Sequence, residues 1–279
     1  MDKADVRKAI LESIALDTVT ACIIADGNGI AAGTAAAERE AGALGLADIH
    51  IIPEGSRVMQ GDEIARFRGR PGQIAVAEER LIGLMAKPSG IASAARQFVD
   101  LAGERPGIIA GAWKKMPPSM KEEIRQAVVT GGASCRISSQ PFLYLDKNYI
   151  RMLGGISKGL AAVAALDGYL RVVQVRGEWK EIGLEAREAL ERGADIIFID
   201  SGRQRDLESV INKLKRLGLR DGVKVAFGGN VRLEDVGTLK ALDADFLDVG
   251  RSIIDAPLLD MHLDVTGTGG GQVGQAGHE

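Results

Sequence analysis

Residues 224–251 read KVAFGGNVRLEDVGTLKALDADFLDVGR. Two apolar, β-rich runs, KVAF and DFLDV, each lead to glycine, and a short helical stretch separates them. A buried strand, a tight turn and a helix returning the chain to a second buried strand make one βα unit of a parallel sheet. In a parallel α/β barrel the C-terminal strand ends and the loops after them build the active face, and the last βα loops often cradle a phosphate on backbone N–H groups. Gly228, Gly229 and Gly250 carry no Cβ, so ligand oxygens could approach the main chain closely there. The alternative is that these glycines only end strands or open turns, and the residues alone leave both readings open.

The same rhythm runs upstream to Gly107. Candidate strands are GIIAGAW (107–113), ASCRI (133–137), FLYL (142–145), LRVVQV (170–175), ADIIFID (194–200), VKVAF (223–227) and ADFLDV (244–249). Between them lie helical stretches such as PSMKEEIRQAVV, ISKGLAAVAALDG, WKEIGLEAREALERG and QRDLESVINKLKRLG. Short connections between buried strands favour a barrel, with an open doubly wound sheet as the other topology. The first hundred residues lack this rhythm and read as α+β. An opening amphipathic helix precedes TACIIADGNGIAAG (20–33), which reads as a hairpin about Asp26 to Gly29. A helix from about Thr34, strands broken by Pro53, Gly55 and Gly61, and a long helical region follow. Pro88 is expected to split that region in two. The glycine-rich end, 267–279, reads as a disordered tail.

The chain has 279 residues, 46% hydrophobic and 26% charged, enough to bury a full core in one large or two modest domains. Formal net charge is -3, with cations spread among acids, which argues against a nucleic-acid or membrane-surface binder. The two cysteines, Cys22 and Cys135, have no metal-like spacing, read as apolar fillers and suit a reducing cytoplasm. No segment has the apolar length of a membrane span, and the opening residues do not read as a signal peptide.

Polar residues at the strand ends form a candidate site. GIIAGAW leads to Lys114 and Lys115, ASCRI carries Arg136, and FLYL is followed by Asp146, Lys147 and Asn148. LRVVQV holds Gln174 and leads to Arg176, and ADIIFID ends on Asp200. On a barrel these converge at one mouth and suit a phosphorylated, anionic substrate. Each cation taken singly also reads as a solvated surface charge. Arg136 is expected inside an apolar strand, and Asp200 closes an apolar run where an unpaired carboxylate is costly.

Over most of its length the chain resembles the quinolinate phosphoribosyltransferase family, also called carboxylating nicotinate-nucleotide pyrophosphorylases. The resemblance rests on GDEIARFRGRPGQIAVAEERLIGLMAKPSGIASAARQFVD (61–100), GGASCRI (131–137), GADIIFID (193–200), KVAFGGNV (224–231) and DFLDVGRSIIDAPLLDMHLDV (245–265). It implies an N-terminal α/β sandwich, residues 1–105 with a returning strand at 258–266, joined to an incomplete α/β barrel over 106–257. It also implies a homodimer with a shared active site. The implied reaction moves phosphoribosyl from phosphoribosyl pyrophosphate, with Mg2+, to the ring nitrogen of quinolinate, with decarboxylation. By position Arg80 matches an arginine donated across the dimer, Lys114 and Arg136 match basic residues facing base or phosphates, and Asp200 matches the acid beside ribose and metal. Gly228 and Gly229 match the phosphate loop, with Gly250 and Arg251 in the next one.

Several positions depart from the family pattern. Trp113 replaces an arginine that helps hold quinolinate, and Cys135 replaces a histidine. Asp146-Lys147-Asn148 permutes a lysine-first motif. Gln174 and Arg176 stand where glutamates are expected, Phe227 replaces a serine, and the early Gly-Asp-Thr segment is missing. Two carboxylates on a base need two cationic clamps, so these changes bear on quinolinate itself. One explanation is a phosphoribosyltransferase for a related base, stacked on Trp113. Others are a paralogue that binds a phosphorylated ligand without turnover, and a barrel enzyme for another phosphorylated metabolite.

Overall fold

The computed structural model of the protein describes residues 6–268 and 271–272. The chain divides into two compact units, one of Met1–Ala94, Glu122–Gly131 and Ala256–Glu279, the other of Ala95–Lys121 and Gly132–Asp255.

The first unit is built on an antiparallel sheet. Strand Val19–Ala25 lies between Glu63–Gly69 and Met261–Thr268, with Ala47–Ile51 and Gly271–Gln272 at the edges. The sheet buries Ile23, Ile64 and Phe67 against Leu81 and Met85 of the helix Pro71–Ala102. The expected tail therefore begins inside a strand, since Gly267 and Thr268 pair with Gln272 and Gly271. The rest of that tail, and residues 1–5 of the opening helix, lie outside the described residues.

Two expectations in this unit fail for physical reasons. The segment 20–33 is not a hairpin: Val19–Ala25 pairs with neighbours from distant sequence, while Gly29–Ile30 pairs with Arg57–Val58. Its next residues turn onto the long helix, where Ser93 Oγ accepts from Ile30 N–H at 2.8 Å and Ser89 Oγ from Ala32 N–H at 2.9 Å. Nor does Pro88 split the helix, which is continuous over Pro71–Ala102. Proline removes the N–H that would bond the Leu84 carbonyl. Gly33 packs against that freed oxygen so closely that a Cβ there would lie 2.1 Å from it. One residue pair further on, Ala86 O accepts from Leu259 N–H at 3.0 Å.

The second unit is a parallel sheet of six strands in the order Gly107–Ile109, Phe246–Asp248, Lys224–Gly228, Ile196–Asp200, Leu170–Val175 and Phe142–Leu145. The first and last strands in sequence pair, as they must when a sheet curls, and a single parallel bridge from Ile109 to Ser134 adds an incomplete member. The barrel is open between that bridge and Phe142–Leu145. ASCRI is thus not a strand. Ser134 Oγ accepts from Arg136 N–H at 3.1 Å and donates to Arg136 O at 2.6 Å, so a side chain takes over groups a ladder would use. Side chains alternate along each strand. Ile109, Val172, Ile196, Phe198 and Ala226 form one apolar cluster, with Phe142, Tyr144 and Phe246 packed against it.

Candidate active site

Continuing the alternation past that cluster toward the C-terminal strand ends gives a polar layer on the same face: Gln174, Asp200, Gly228 and Asp248. Gly228 is in register with Asp200 on one side and Asp248 on the other. Two strand spacings put the Cα atoms of the two aspartates about 9–10 Å apart. The missing Cβ of Gly228 leaves room for Asp248 and Phe198, since a Cβ there would meet each at 3.1 Å.

Gln174 is buried, and its amide has one possible orientation. Its Oε1 accepts from Lys147 N–H at 2.6 Å, which obliges its Nε2 to face Asp200 Oδ2, at 2.5 Å. Arg176 Nη1 approaches the same oxygen at 3.3 Å, and its Nε lies 3.2 Å from Glu178. Glu178 is also held by Arg151 through Nε at 2.9 Å and Nη2 at 2.7 Å. Those bonds from Arg151 hold the Glu178 carboxyl below its ordinary range, with Arg176 adding to the effect. Asp248 sits differently. Its Oδ1 accepts from Gly111 N–H at 3.0 Å, yet burial pushes its carboxyl up, and the charge of Asp200 adds to the rise while Lys114 and Lys115 oppose it. Burial pushes the Tyr144 hydroxyl up as well, together with the charges of Asp200, Asp248 and Asp146, so it stays protonated.

The other expected residues are spread over several elements. Trp113 and Lys114 lie on the turn Ala112–Lys115 directly after strand Gly107–Ile109. The Trp113 indole is half-buried, 3.5 Å from the Cys135 carbonyl through Nε1, with Lys121 Nζ 6.0 Å from the ring centroid. Arg136 is exposed rather than embedded in a strand, and its guanidinium lies 5.2 Å from the centroid of the Phe142 ring. Lys147 opens the helix Lys147–Leu153, capped by Asp146. Arg251 is exposed and paired with Asp255 at 3.0 Å, and Gly250 precedes it, a Cβ there meeting Ala112 at 3.3 Å. Arg80 belongs to the first unit, where it pairs with Glu40 at 2.7 Å.

Gly229, at φ +103°, has a structural reason to be glycine: a Cβ would lie 2.6 Å from Gly202 N, and Gly202 N–H bonds Gly228 O at 3.1 Å. Beside this junction is a cleft of about 420 Å³ whose walls include Gly229, Asn230, Phe227, Arg203 and Arg205. Loop backbone, Arg203, Arg205 and Asp235 line this space, the Arg203 guanidinium being paired with Asp206 at 2.7 Å, and Phe227 stands where a hydroxyl was expected.

Metal binding at Asp200 fits poorly. Its Oδ2 already accepts from an amide and a guanidinium, and among the described residues no group of three or more His, Cys, Asp or Glu could hold a metal ion. Sequence reasoning also passed over Asp248. The signal was present, because ADFLDV repeats the pattern of ADIIFID, an apolar run closed by an acid.

Residues 91–264 match the model of the quinolinate phosphoribosyl transferase C-terminal domain, and residues 6–89 match that of the N-terminal domain. The chain belongs to the quinolinate phosphoribosyl transferase family. Among its relatives, a probable nicotinate-nucleotide pyrophosphorylase [carboxylating] of Archaeoglobus fulgidus is 29% identical over 252 residues, covering 88% of this chain and 94% of the relative. The human nicotinate-nucleotide pyrophosphorylase [carboxylating] is 27% identical over 215 residues, covering 76% of this chain and 71% of the human one. The fold is that of solved structures from Ehrlichia chaffeensis (TM-score 0.80, 18% identity, 95% of this chain and 93% of that one) and Streptococcus pyogenes (TM-score 0.76, 21% identity, 95% of both chains). In family terms the open barrel and the antiparallel sheet are the shared frame.

Proposed function

We propose that the protein is a pentosyltransferase that moves phosphoribosyl from phosphoribosyl pyrophosphate to the ring nitrogen of a pyridine carboxylate, with quinolinate the first base to test. The observation that carries this reading is the polar layer Gln174–Asp200–Gly228–Asp248 at the C-terminal mouth of the parallel sheet, beside the arginine-lined cleft at Gly229. In the reaction the bond from C1 of the ribose to the diphosphate oxygen breaks, the diphosphate leaves with the electron pair, and the ring nitrogen forms the new bond to C1. Positive charge develops on the sugar, and carboxylates facing it without water between stabilise that charge. Asp200 and Asp248 flank such a position.

The 5'-phosphate is assigned to the Gly228–Gly229 loop and its cleft, with Gly250 and Arg251 on the adjoining loop. The base is assigned to Trp113 as a stacking face, with Lys114, Arg136 and Lys147 as cations for its carboxylate and the phosphates. Arg80 is assigned to the site of a second copy in a homodimer. Magnesium is the expected companion of the diphosphate, and the reducing cytoplasm the expected setting. The test is mass-spectrometric detection of a mononucleotide after incubation with phosphoribosyl pyrophosphate and a panel of pyridine carboxylates. Quinolinate predicts carbon dioxide release as well, whereas a monocarboxylate gives nucleotide without it. Binding of phosphoribosyl pyrophosphate with no nucleotide from any base would favour the paralogue that binds without turnover.

A further inference from the structure

We infer that Arg176 is a diphosphate-binding residue, supplying beside Asp200 a fixed positive charge, so that the protein binds phosphoribosyl pyrophosphate without a divalent ion held on its own carboxylates. The inference deepens the phosphoribosyl-transfer reading and rests on it.

Three observations carry it. First, the amide of Gln174 is oriented by an obligate donor, the Lys147 N–H, so the face it turns to Asp200 is an N–H face that attracts anions and repels cations. Second, Arg176 shares Asp200 Oδ2, so the oxygen that a metal would share with Gln174 already has two donors. Third, Arg176 is positioned with donors to spare. Nη1 goes to Asp200 and Nε to Glu178, which fixes the guanidinium plane and, among the described residues, leaves Nη2 for a ligand. Arg176 continues the alternation of Val172 and Gln174, the strand residues that face the barrel interior. Around it stand the acids Asp200, Glu178 and Glu185, the last accepting from the backbone N–H of Arg176 at 3.1 Å, with Arg151 and Lys147 as the other cations. A planar guanidinium held in this way suits bidentate recognition of phosphate oxygens.

The test is calorimetric titration of the full chain with phosphoribosyl pyrophosphate, and separately with inorganic pyrophosphate, in EDTA and in millimolar magnesium. The wild type is expected to bind both ligands in EDTA, with dissociation constants within about threefold of those in magnesium, a difference under ~1 kcal/mol. Arg176→Gln should weaken binding in EDTA by at least about tenfold, the effect of one charge-assisted contact, and Arg176→Lys should recover part of it. Gln174→Glu turns a second carboxylate toward Asp200 and should make binding depend on magnesium. Thermal melts of each variant separate lost affinity from lost fold. Wild-type binding only in magnesium, or Arg176→Gln binding in EDTA as the wild type does, would overturn the inference while leaving the transfer reading intact. Binding in neither condition would overturn both.

Discussion

Replacing Gly229 by alanine tests whether the loop junction beside the cleft is built as described. The residue sits at φ +103°, where an L side chain is strained by about 1–3 kcal/mol. Its new Cβ would fall 2.6 Å from Gly202 N and 2.9 Å from Gly202 Cα, both backbone atoms that cannot swing aside. Separating the loops breaks the 3.1 Å bond from Gly202 N–H to Gly228 O, a further loss of about 1 kcal/mol. The total is about 2–4 kcal/mol, which for a protein of this size lowers the melting temperature by roughly 3–7 °C. Because the junction forms one wall of the cleft, affinity for phosphoribosyl pyrophosphate should also fall by about tenfold or more. The assay is a thermal melt paired with a binding titration. Gly237→Ala is the control: it lies in the helix Val236–Ala241 with nothing within 4 Å of its new Cβ, and should be neutral or slightly stabilising. A Gly229→Ala protein that melts with the wild type and binds equally well would refute the reasoning.

Other perturbations probe the rest of the site and the frame. Asp200→Ala should abolish nucleotide formation, a loss of at least about 100-fold in kcat, because it removes the carboxylate facing the developing cation. Trp113→Ala should raise KM for the base by roughly three- to tenfold and leave binding of phosphoribosyl pyrophosphate unchanged, as loss of a stacking face predicts. For Asp248 the folded carboxyl titrates above its unfolded value, so this group costs stability that is absent below the unfolded value, grows as pH rises and is complete above the folded one. Asp248→Asn keeps an acceptor for Gly111 N–H, and should raise the melting temperature at neutral pH while having little effect near pH ~3. Gly33→Ala should destabilise the first unit by about 3 kcal/mol or more, through its positive φ and the 2.1 Å approach of the new Cβ to Leu84 O, read as a shift in urea midpoint.

What the sequence made legible follows from how local each cause is. The βα alternation from Gly107 onward could be read because each barrel strand is a buried run whose character depends only on its own residues. The strand FLYL and the helix after Gln204 needed no partner to be recognised. The failures each depend on a distant residue. ASCRI has strand composition, but only Ser134 bridges to Ile109, and its side chain then bonds Arg136 where a ladder would continue. The Asp26–Gly29 turn has hairpin composition, but the partners of Val19–Ala25 come from residues 63–69 and 261–268. Pro88 lies in an unbroken helix, and Gly33, far away in sequence, packs on the Leu84 carbonyl that it frees. At the site, strand-end position was enough to find Gln174 and Asp200, but the bonds among Lys147, Gln174, Asp200 and Arg176 had to be seen in space. Asp248 carried the same signal as Asp200, masked by the glycine that follows it closely in the loop.

The most direct measurement of the central claim is nucleotide formation itself. Wild-type protein and Asp200→Ala are incubated with phosphoribosyl pyrophosphate and magnesium, with quinolinate and with monocarboxylate pyridines, and the products are resolved by mass spectrometry alongside released diphosphate. The account predicts a mononucleotide and stoichiometric diphosphate from the wild type with at least one base, and neither from Asp200→Ala. Diphosphate release without any nucleotide, or equal product from the wild type and Asp200→Ala, would contradict it.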